Sequence, residues 1–555
     1  MAELQTPDDL IVPEIVALIL AGRGMAPEQM AAFLYPDYTR DAGDPMLLTD
    51  MEKAVDRITR AAGAGERVVV YGDYDIDGIT ASAVLIEGLR ALGIEAESYI
   101  PDRFEEGYGI NQGALAQLKE RGVDLVISVD CGITSVDEAA WAREHGLDLV
   151  ITDHHAVPEV LPEAVAVINP KRPGDAYPFK ELAGVGVAFK LVQALQAATD
   201  KPAAGQEKWL LDLVALGTIC DVVPLVGENR MLASYGLRVL RRTRRVGLRA
   251  LAEVGGVNIG RITAYDVGFV LGPRMNAAGR LEHAAQSVEL VMTSDPVRAR
   301  TIAQELDNLN HQRRSEQARI LAAAEMRAAE FEADPVLVLA DPDWSHGIVG
   351  IVASKLAEKL GKPVLLAQDL GEHIKGSARS IPGFNMVEAL RSQAELLSRF
   401  GGHFFAAGYT FPAGNLEALR TGLNDWHRIS MDGAGQTVNR LEAELAWPDL
   451  APVDEALVET FELMEPFGNS NPRPVVGLGG LHVASVRPVG SDGKHLSLKL
   501  GDAGGRTLSV IGFGLAQRYD KLRVNQTVSV RGYLNKNEFQ GKTSVQMVLS
   551  ELDYE

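Results

Sequence analysis

A chain of 555 residues has room for about three or four domains, and 46% hydrophobic with 23% charged residues is the balance of an ordinary soluble globular protein. The net charge of −21 argues against binding nucleic acid through the whole surface, yet residues 471–550 carry eleven Lys and Arg against four Asp and Glu, a local basic region. Two cysteines, Cys131 and Cys220, exclude a disulfide framework; with no signal-peptide pattern and no long apolar run, a reducing, cytoplasmic setting without membrane insertion is expected.

Residues 1–45 read as a small helical lead-in, with 10–21 as a buried helix. Residues 50–62 read as a helix capped by Asp50. From Arg67 strands and helices alternate. Strands are predicted over 68–71, 97–100, 124–129, 148–152 and 165–168, and helices over 79–92, 113–121 and 136–145. This alternation predicts a mostly parallel sheet covered by helices. Residues 211–220 read as a buried helix leading to Asp221. Residues 298–332 form a long helical pattern, and a strand over 335–339 with a helix over 348–360 opens a second α/β unit. Beyond 475 the pattern breaks into five strands, over 481–488, 496–500, 508–513, 526–534 and 544–549, which with the positive local charge predicts an OB-fold barrel.

The first of these strands runs into Tyr71-Gly72-Asp73-Tyr74-Asp75-Ile76-Asp77-Gly78. Alternate residues of an extended segment point the same way, so Asp73, Asp75 and Asp77 would share one side and call for a cation between them. The plainer alternative is a solvated acidic turn; a calcium loop would need a Glu where Ala83 and Val84 stand. Two other strand ends add to the first. Asp130 follows 124–129, and Asp153-His154-His155 follows 148–152. Ligands of open parallel sheets gather at the carboxyl ends of strands, so these groups can meet at one edge, with Asp221 joining from the side. Singly, each has an ordinary explanation as a turn residue, a satisfied loop histidine or a helix end. Carboxylates with imidazole suit Mn²⁺ or Mg²⁺, and no cysteine pair has zinc spacing, so Cys131 and Cys220 read as small buried thiols. Such a set can hold two ions about 3.5–4 Å apart and serve phosphoester hydrolysis.

The same residues carry a family resemblance. The block from Tyr71 to Gly78, Val129-Asp130-Cys131-Gly132 and Thr152-Asp153-His154-His155 resemble successive motifs of the DHH phosphoesterase superfamily. Gly272-Pro273-Arg274-Met275-Asn276-Ala277-Ala278-Gly279-Arg280-Leu281, Ser345-His346-Gly347-Ile348-Val349-Gly350-Ile351-Val352-Ala353 and Gly401-Gly402-His403-Phe404-Phe405-Ala406-Ala407-Gly408 narrow it to the RecJ family of single-strand-specific 5′→3′ DNA exonucleases. Glu465-Pro466-Phe467-Gly468-Asn469 resembles the segment entering that family's last domain. The blocks stand in family order over nearly the whole chain. Ile76 departs from the usual Ala or Val, and Glu465 and Ser470 differ slightly from the usual wording.

The resemblance implies a fold of two α/β lobes joined by a long helix and followed by an OB-fold. A DHH domain would span 46–290, a linker helix 291–332, a DHH-associated domain 333–430, and the OB-fold with a helical lead-in 431–555. It implies Asp75, Asp77, Asp130, His154 and Asp221 as ligands of two Mn²⁺ or Mg²⁺ ions, with Asp73 as a ligand or its neighbour. Asp153 would orient a ligand and His155 would face the scissile phosphate. Residues 376–380 and 401–403 read as small-residue turns bearing Arg379 and His403. By resemblance Arg103, Ser377 and Arg379 form a 5′-phosphate pocket, while Asn276, Arg280, Gly402 and His403 contact substrate nearer the metals.

The run Arg241, Arg242, Arg244 and Arg245 reads as a solvated helix end. Phe513, Tyr519, Tyr533 and Phe539 lie among Arg518, Lys521, Arg523, Arg531, Lys536 and Lys542, so some can stack bases while others fill a barrel core. The expected function is a monomeric exonuclease that releases 5′-mononucleotides from single-stranded DNA in recombination and repair, with a single-stranded-DNA-binding protein and a RecQ-type helicase as partners. Two other readings stand beside it. One is a small-substrate phosphoesterase acting on short oligonucleotides or a nucleotide bisphosphate; the other is a non-catalytic single-strand-binding scaffold.

Overall fold

The computed structural model describes residues 3–5, 11–103, 106–430, 442–539 and 541–554. Its first lobe is a five-stranded parallel sheet in the spatial order Glu97–Tyr99, Val68–Tyr71, Leu125–Val129, Asp148–Thr152, Ala166–Ile168. Val68–Tyr71 and Leu125–Val129 are buried along their whole length, which suits their unbroken apolar sequence. The strand order reverses at Val68–Tyr71, whose neighbours lead away in opposite directions, and a crevice opens there at the carboxyl ends. The helix Ile76–Ala91 covers one face and packs on Gly184–Thr199 and Leu211–Cys220.

The expected geometry of the first acidic motif is overturned. Asp73, Asp75 and Asp77 do not alternate along an extended segment. The helix starts at Ile76, not 79; Asp75 is its N-cap and accepts from the amides of Asp77 and Gly78, and Asp77 lies in the first turn. Asp50 fails as a cap. It has left-handed backbone, φ 65°, and its carboxylate instead pairs with Arg172 and accepts from the amide of Val167, fastening the helix Met51–Ala64 to the far strand.

A helix of 33 residues, Pro296–Ala328, joins the lobes. Its first half, through Ala299, Ile302, Ala303 and Leu306, is part of the first lobe's core, and Ile320, Ala324 and Ala328 belong to the second. At 1.5 Å per residue it is about 50 Å long. The second lobe has the sheet order Arg399–Gly402, Ala406–Pro412, His373–Arg379, Val364–Asp369, Leu337–Asp341, with only the last pair parallel. The two small-residue turns expected here are strands. His373–Arg379 is a central strand, and a Cβ on Gly376 would collide with the carbonyl of Leu366, so glycine serves close packing, not a turn. Gly401 and Gly402 end the strand Arg399–Gly402.

The C-terminal domain is a barrel of five long strands, Val476–Val489, His495–Gly501, Thr507–Gly512, Lys542–Tyr554 and Thr527–Phe539, closed by antiparallel pairing of the last with the first. Leu445–Trp447 adds a parallel strand at its margin. The N-terminal segment belongs to this core. Val16, Leu20, Phe33 and Leu34 pack with Leu457, Phe461, Met464 and Val476, across more than four hundred residues of sequence. Within 10–21, Leu10 lies outside the described residues, Ile11–Pro13 is a strand, and the helix runs Glu14–Gly22. The stretch 431–441, with which the expected OB unit begins, also lies outside them. Among the described residues no helix is long and apolar enough to cross a membrane.

Candidate metal centre and phosphate clamp

The crevice at the strand-order reversal collects the acidic residues. Asp73 leaves the strand Val68–Tyr71, and Asp130 leaves Leu125–Val129 with φ 59°, a conformation Asp tolerates better than most residues. Asp153-His154-His155 leaves Asp148–Thr152, and Asp221 caps the C-terminus of Leu211–Cys220. Asp77 is held by the first amides of the neighbouring helix: Gly184 N–H donates to Oδ2 at 2.6 Å and Val185 N–H to Oδ1 at 2.9 Å. Gly184 must be glycine, because a Cβ there would fall 2.5 Å from Asp130 Oδ1.

Three overlapping sets of ligand atoms result, each within 4.8 Å of one another: Asp73, Asp75 and Asp130; Asp77, His154 and Asp221; and Asp130, His154 and His155. His154 Nε2 lies 3.2 Å from Asp130 Oδ1, 3.6 Å from Asp221 Oδ2 and 3.8 Å from Asp77 Oδ2. Among the described residues, the buried atoms Asp73 Oδ1, Asp130 Oδ1 and both ring nitrogens of His154 find no hydrogen-bond partner. Unpaired buried polar atoms are costly, and here several converge on one space. Hard carboxylate oxygens with one imidazole fit Mn²⁺ or Mg²⁺, and two carboxylate-rich sets, joined by the third through Asp130 of one and His154 of the other, fit two ions.

The electrostatics agree. Burial, then the charge of Asp75, raises Asp77 to about 7. Burial and the charges of Asp77 and Asp75 raise Asp221 to about 9, and burial with the other carboxylates pushes Asp73 and Asp130 well up. Burial and the neighbouring His155 lower His154 to about 3, leaving a neutral imidazole. Asp153 goes the other way: burial would raise it, but His155 and backbone amides hold it down. It accepts from the amides of Ile133, His154 and His155, and its Oδ1 lies 2.7 Å from His155 Nδ1. Asp153 thus orients His155.

Opposite the acids stand cations. Arg103 stacks 4.7 Å over the ring of Tyr74, and Arg280 donates to the carbonyl of Gly347 in the second lobe. Lys375, Ser377 and Arg379 lie on one face of a single strand, and Arg379 Nε donates to Ser354 Oγ. Among the described residues no ion pair involves Arg103, Arg280, Arg313, Lys375 or Arg379. Burial and the like charges of Arg103 and Arg313 lower Arg280 to about 10, and burial with Arg103 lowers Arg379. A cationic group of this kind wants an anion. Gly402 and His403 sit at an exposed hairpin end whose backbone meets Ser380 through Phe405. Asn276 is turned inward: its Oδ1 accepts from the amide of Ile76 and secures the start of the acidic helix.

Several site residues escaped the sequence reading. Tyr108 OH lies 3.3 and 3.4 Å from the two ring nitrogens of His155; flanking glycines of positive φ, Gly107 and Gly109, were its visible signal. Lys375 and Arg313 had none. Arg245 is not part of a solvated helix end: it is half-buried and paired with Glu87 and Asp212. In the barrel Tyr519 is core, Phe513 is exposed, and Arg473 lies over both Phe467 and Tyr533; the side chain of Phe539 lies outside the described residues.

Comparison with known proteins follows the same division. Residues 67–218 match the DHH family N-terminal domain, 333–428 the DHHA1 domain and 446–551 the RecJ OB domain. The single-stranded-DNA-specific exonuclease RecJ of Bacillus subtilis is 38% identical over 99% of this chain and 70% of its own length, and that of Dickeya dadantii is 36% identical over 99% and 97%. The crystal structure of RecJ from Thermus thermophilus in complex with Mn²⁺ superimposes with a TM-score of 0.82 at 31% identity, covering 98% of this chain and 76% of that one. Its complex with Mg²⁺ gives 0.76 at 30%, covering 98% and 74%.

Proposed function

The chain belongs to the RecJ family of single-stranded-DNA-specific exonucleases, and from that membership we propose how its residues divide the work. The enzyme degrades single-stranded DNA from the 5′ end and releases 5′-mononucleotides. The observation that carries this reading is the facing of two sets unsatisfied among the described residues: buried carboxylate and imidazole atoms without partners, and arginines without an ion pair.

Asp75, Asp77, Asp130, His154 and Asp221, with Asp73 as a further donor, would hold two Mn²⁺ or Mg²⁺ ions, which would supply Lewis-acid charge and lower the pKa of a bound water. Gly184 and Val185 amides fix the Asp77 carboxylate for that purpose. His155, oriented by Asp153 and reached by Tyr108, faces the scissile phosphate. Arg280 and His403 hold phosphates near the acids, Gly402 lets the backbone approach, and Asn276 acts indirectly by fixing the helix start. Arg103, Ser377 and Arg379 receive the 5′-terminal phosphate, where an arginine fork suits the tetrahedral anion. That pocket stops the strand after one nucleotide and sets polarity. The barrel holds the trailing strand through its basic face.

The enzyme acts in recombination and repair, in the cytoplasm, as a monomer, with a single-stranded-DNA-binding protein and a RecQ-type helicase as collaborators. A time course on an internally labelled single strand of about 40 bases, a length beyond one barrel's site size, tests this reading. Metal-dependent mononucleotide release, stopped by a blocked 5′ end and by chelator, is expected. Release from the 3′ end, or turnover of very short oligonucleotides alone, would overturn it.

A further inference from the structure

Asp221 is the outlier among the acidic residues. The others leave sheet strands or a helix start of the first lobe, whereas Asp221 ends a helix, its amide donating to the carbonyl of Gly217, and leads at once into Val222. Val222 has φ 61°. A β-branched residue in this left-handed region is a true outlier and persists only when its surroundings impose it. Side-chain packing does not impose it, because Val222 is 62% exposed.

What holds it comes from the far end of the chain. Asn469, on the segment entering the barrel, donates from Nδ2 to the carbonyl of Val222 at 2.7 Å, and its own carbonyl accepts from the amide of Leu225 at 2.9 Å. The two bonds clamp residues 222–225 from both ends. The clamp is itself braced. Asn471 is fully buried and donates to the carbonyls of Met464 and Pro466, and Gly468 exchanges backbone bonds with Asn471. Arg230, buried on the first lobe, donates to the carbonyls of Met464, Glu465 and Pro466. Gly468 lets the segment close on the lobe, since a Cβ there would lie 2.6 Å from Leu225 Cδ1.

We propose that Asn469 is a positioning residue for the metal centre: by holding Val222 in its strained conformation it turns the preceding peptide so that Asp221 faces His154 and Asp77. The seating of the barrel is thereby coupled to the completeness of the metal site. Released from Asn469, Val222 relaxes to negative φ and Asp221 swings away. This rests on the metal reading above and extends it to a residue in another domain.

The test is calorimetric titration of Mn²⁺ into the metal-free full-length protein, beside single-strand affinity in chelator and the melting temperature. Asn469→Leu, which keeps volume but removes the amide, is expected to weaken the weaker Mn²⁺ site by between about tenfold and a hundredfold, the usual range for a group supporting a ligand. DNA affinity in chelator is expected to stay at the wild-type value. The combination Asn469→Leu with Val222→Gly is expected to recover most of the metal affinity, because glycine adopts positive φ without being held. Wild-type Mn²⁺ binding by Asn469→Leu overturns the proposal, as does failure of Val222→Gly to restore it. Absence of Mn²⁺ binding in the wild type would instead overturn the metal reading itself. A fall in melting temperature with unchanged Mn²⁺ affinity would reduce Asn469 to a domain-docking contact and overturn the positioning role.

Discussion

Asp153 Oδ1 and His155 Nδ1 lie 2.7 Å apart, and the carboxylate that makes this bond is saturated by three backbone amides. The imidazole therefore has one orientation imposed by the sheet edge. Asp153→Asn keeps the shape but replaces an acceptor with a donor against those amides. We expect kcat on single-stranded DNA to fall by about a hundredfold, as when a fixed donor at a reacting phosphate or carbonyl is lost, with Kd for DNA in chelator unchanged. A proportional loss of DNA affinity would place His155 in binding alone.

Asp77→Ala and Asp130→Ala are expected to abolish cleavage and leave binding largely intact. The milder Asp130→Asn, which still tolerates left-handed backbone, carries a second expectation. It removes one of several mutually repelling buried carboxyls, so the metal-free variant is expected to melt above the metal-free wild type by about 2–4 °C, the shift that about 1 kcal/mol produces in a large domain. Scanning calorimetry in chelator measures it; a lower melting temperature would mean the cluster is not under electrostatic stress.

Proton linkage gives the sign of a pH effect. Asp77 at about 7 and Asp221 at about 9 lie above the ordinary carboxylate value in the folded chain. Groups raised on folding contribute stability at low pH and lose it as pH climbs from the unfolded value, near about 4, through the folded one. The metal-free protein should lose stability across that window, and Mn²⁺, which displaces the protons, should restore more of it at pH 8.5 than at pH 6. Melting curves with chelator and with Mn²⁺ at both pH values decide this; equal metal-induced shifts would contradict it.

Arg379→Ala is expected to reduce the preference for a 5′-phosphorylated over a 5′-hydroxyl strand by about tenfold or more, the worth of a charge-assisted bond of 1.5–3 kcal/mol. Arg379→Lys should recover the charge without the fork and only part of the preference. Initial rates on paired substrates measure both. An unchanged ratio would move the terminal phosphate elsewhere in the cationic group.

The strands of the first lobe and the five barrel strands were legible because apolar alternation and strand ends are local properties. So was the acidic edge, since Asp130 and Asp153-His154-His155 directly follow strands. The geometry of Asp73, Asp75 and Asp77 was not, because cap and strand share the same residues until hydrogen bonds choose between them. The glycines of 376 and 402 looked like turns, yet the constraint on Gly376 is a neighbouring strand's carbonyl, which no local pattern contains. Arg245 looked solvated because Glu87 and Asp212 lie far away in sequence. Asn469 and Val222 are 247 positions apart and carry no shared pattern.

The packing of Phe33 and Leu34 against Phe461 and Met464 has a consequence for how the chain assembles. The first apolar helices meet the first lobe at Phe33, whose carbonyl and ring engage Arg230, but the rest of their apolar face finds its partners only after the barrel segment has been made. Closing so long a loop comes late and at an entropic disadvantage. The opening segment therefore waits with its greasy side uncovered, and a nascent chain stalled before the barrel would present that side to chaperones or to other copies. The seam between these helices and the barrel joins segments far apart in sequence, and the same seam carries Asn469 to its place.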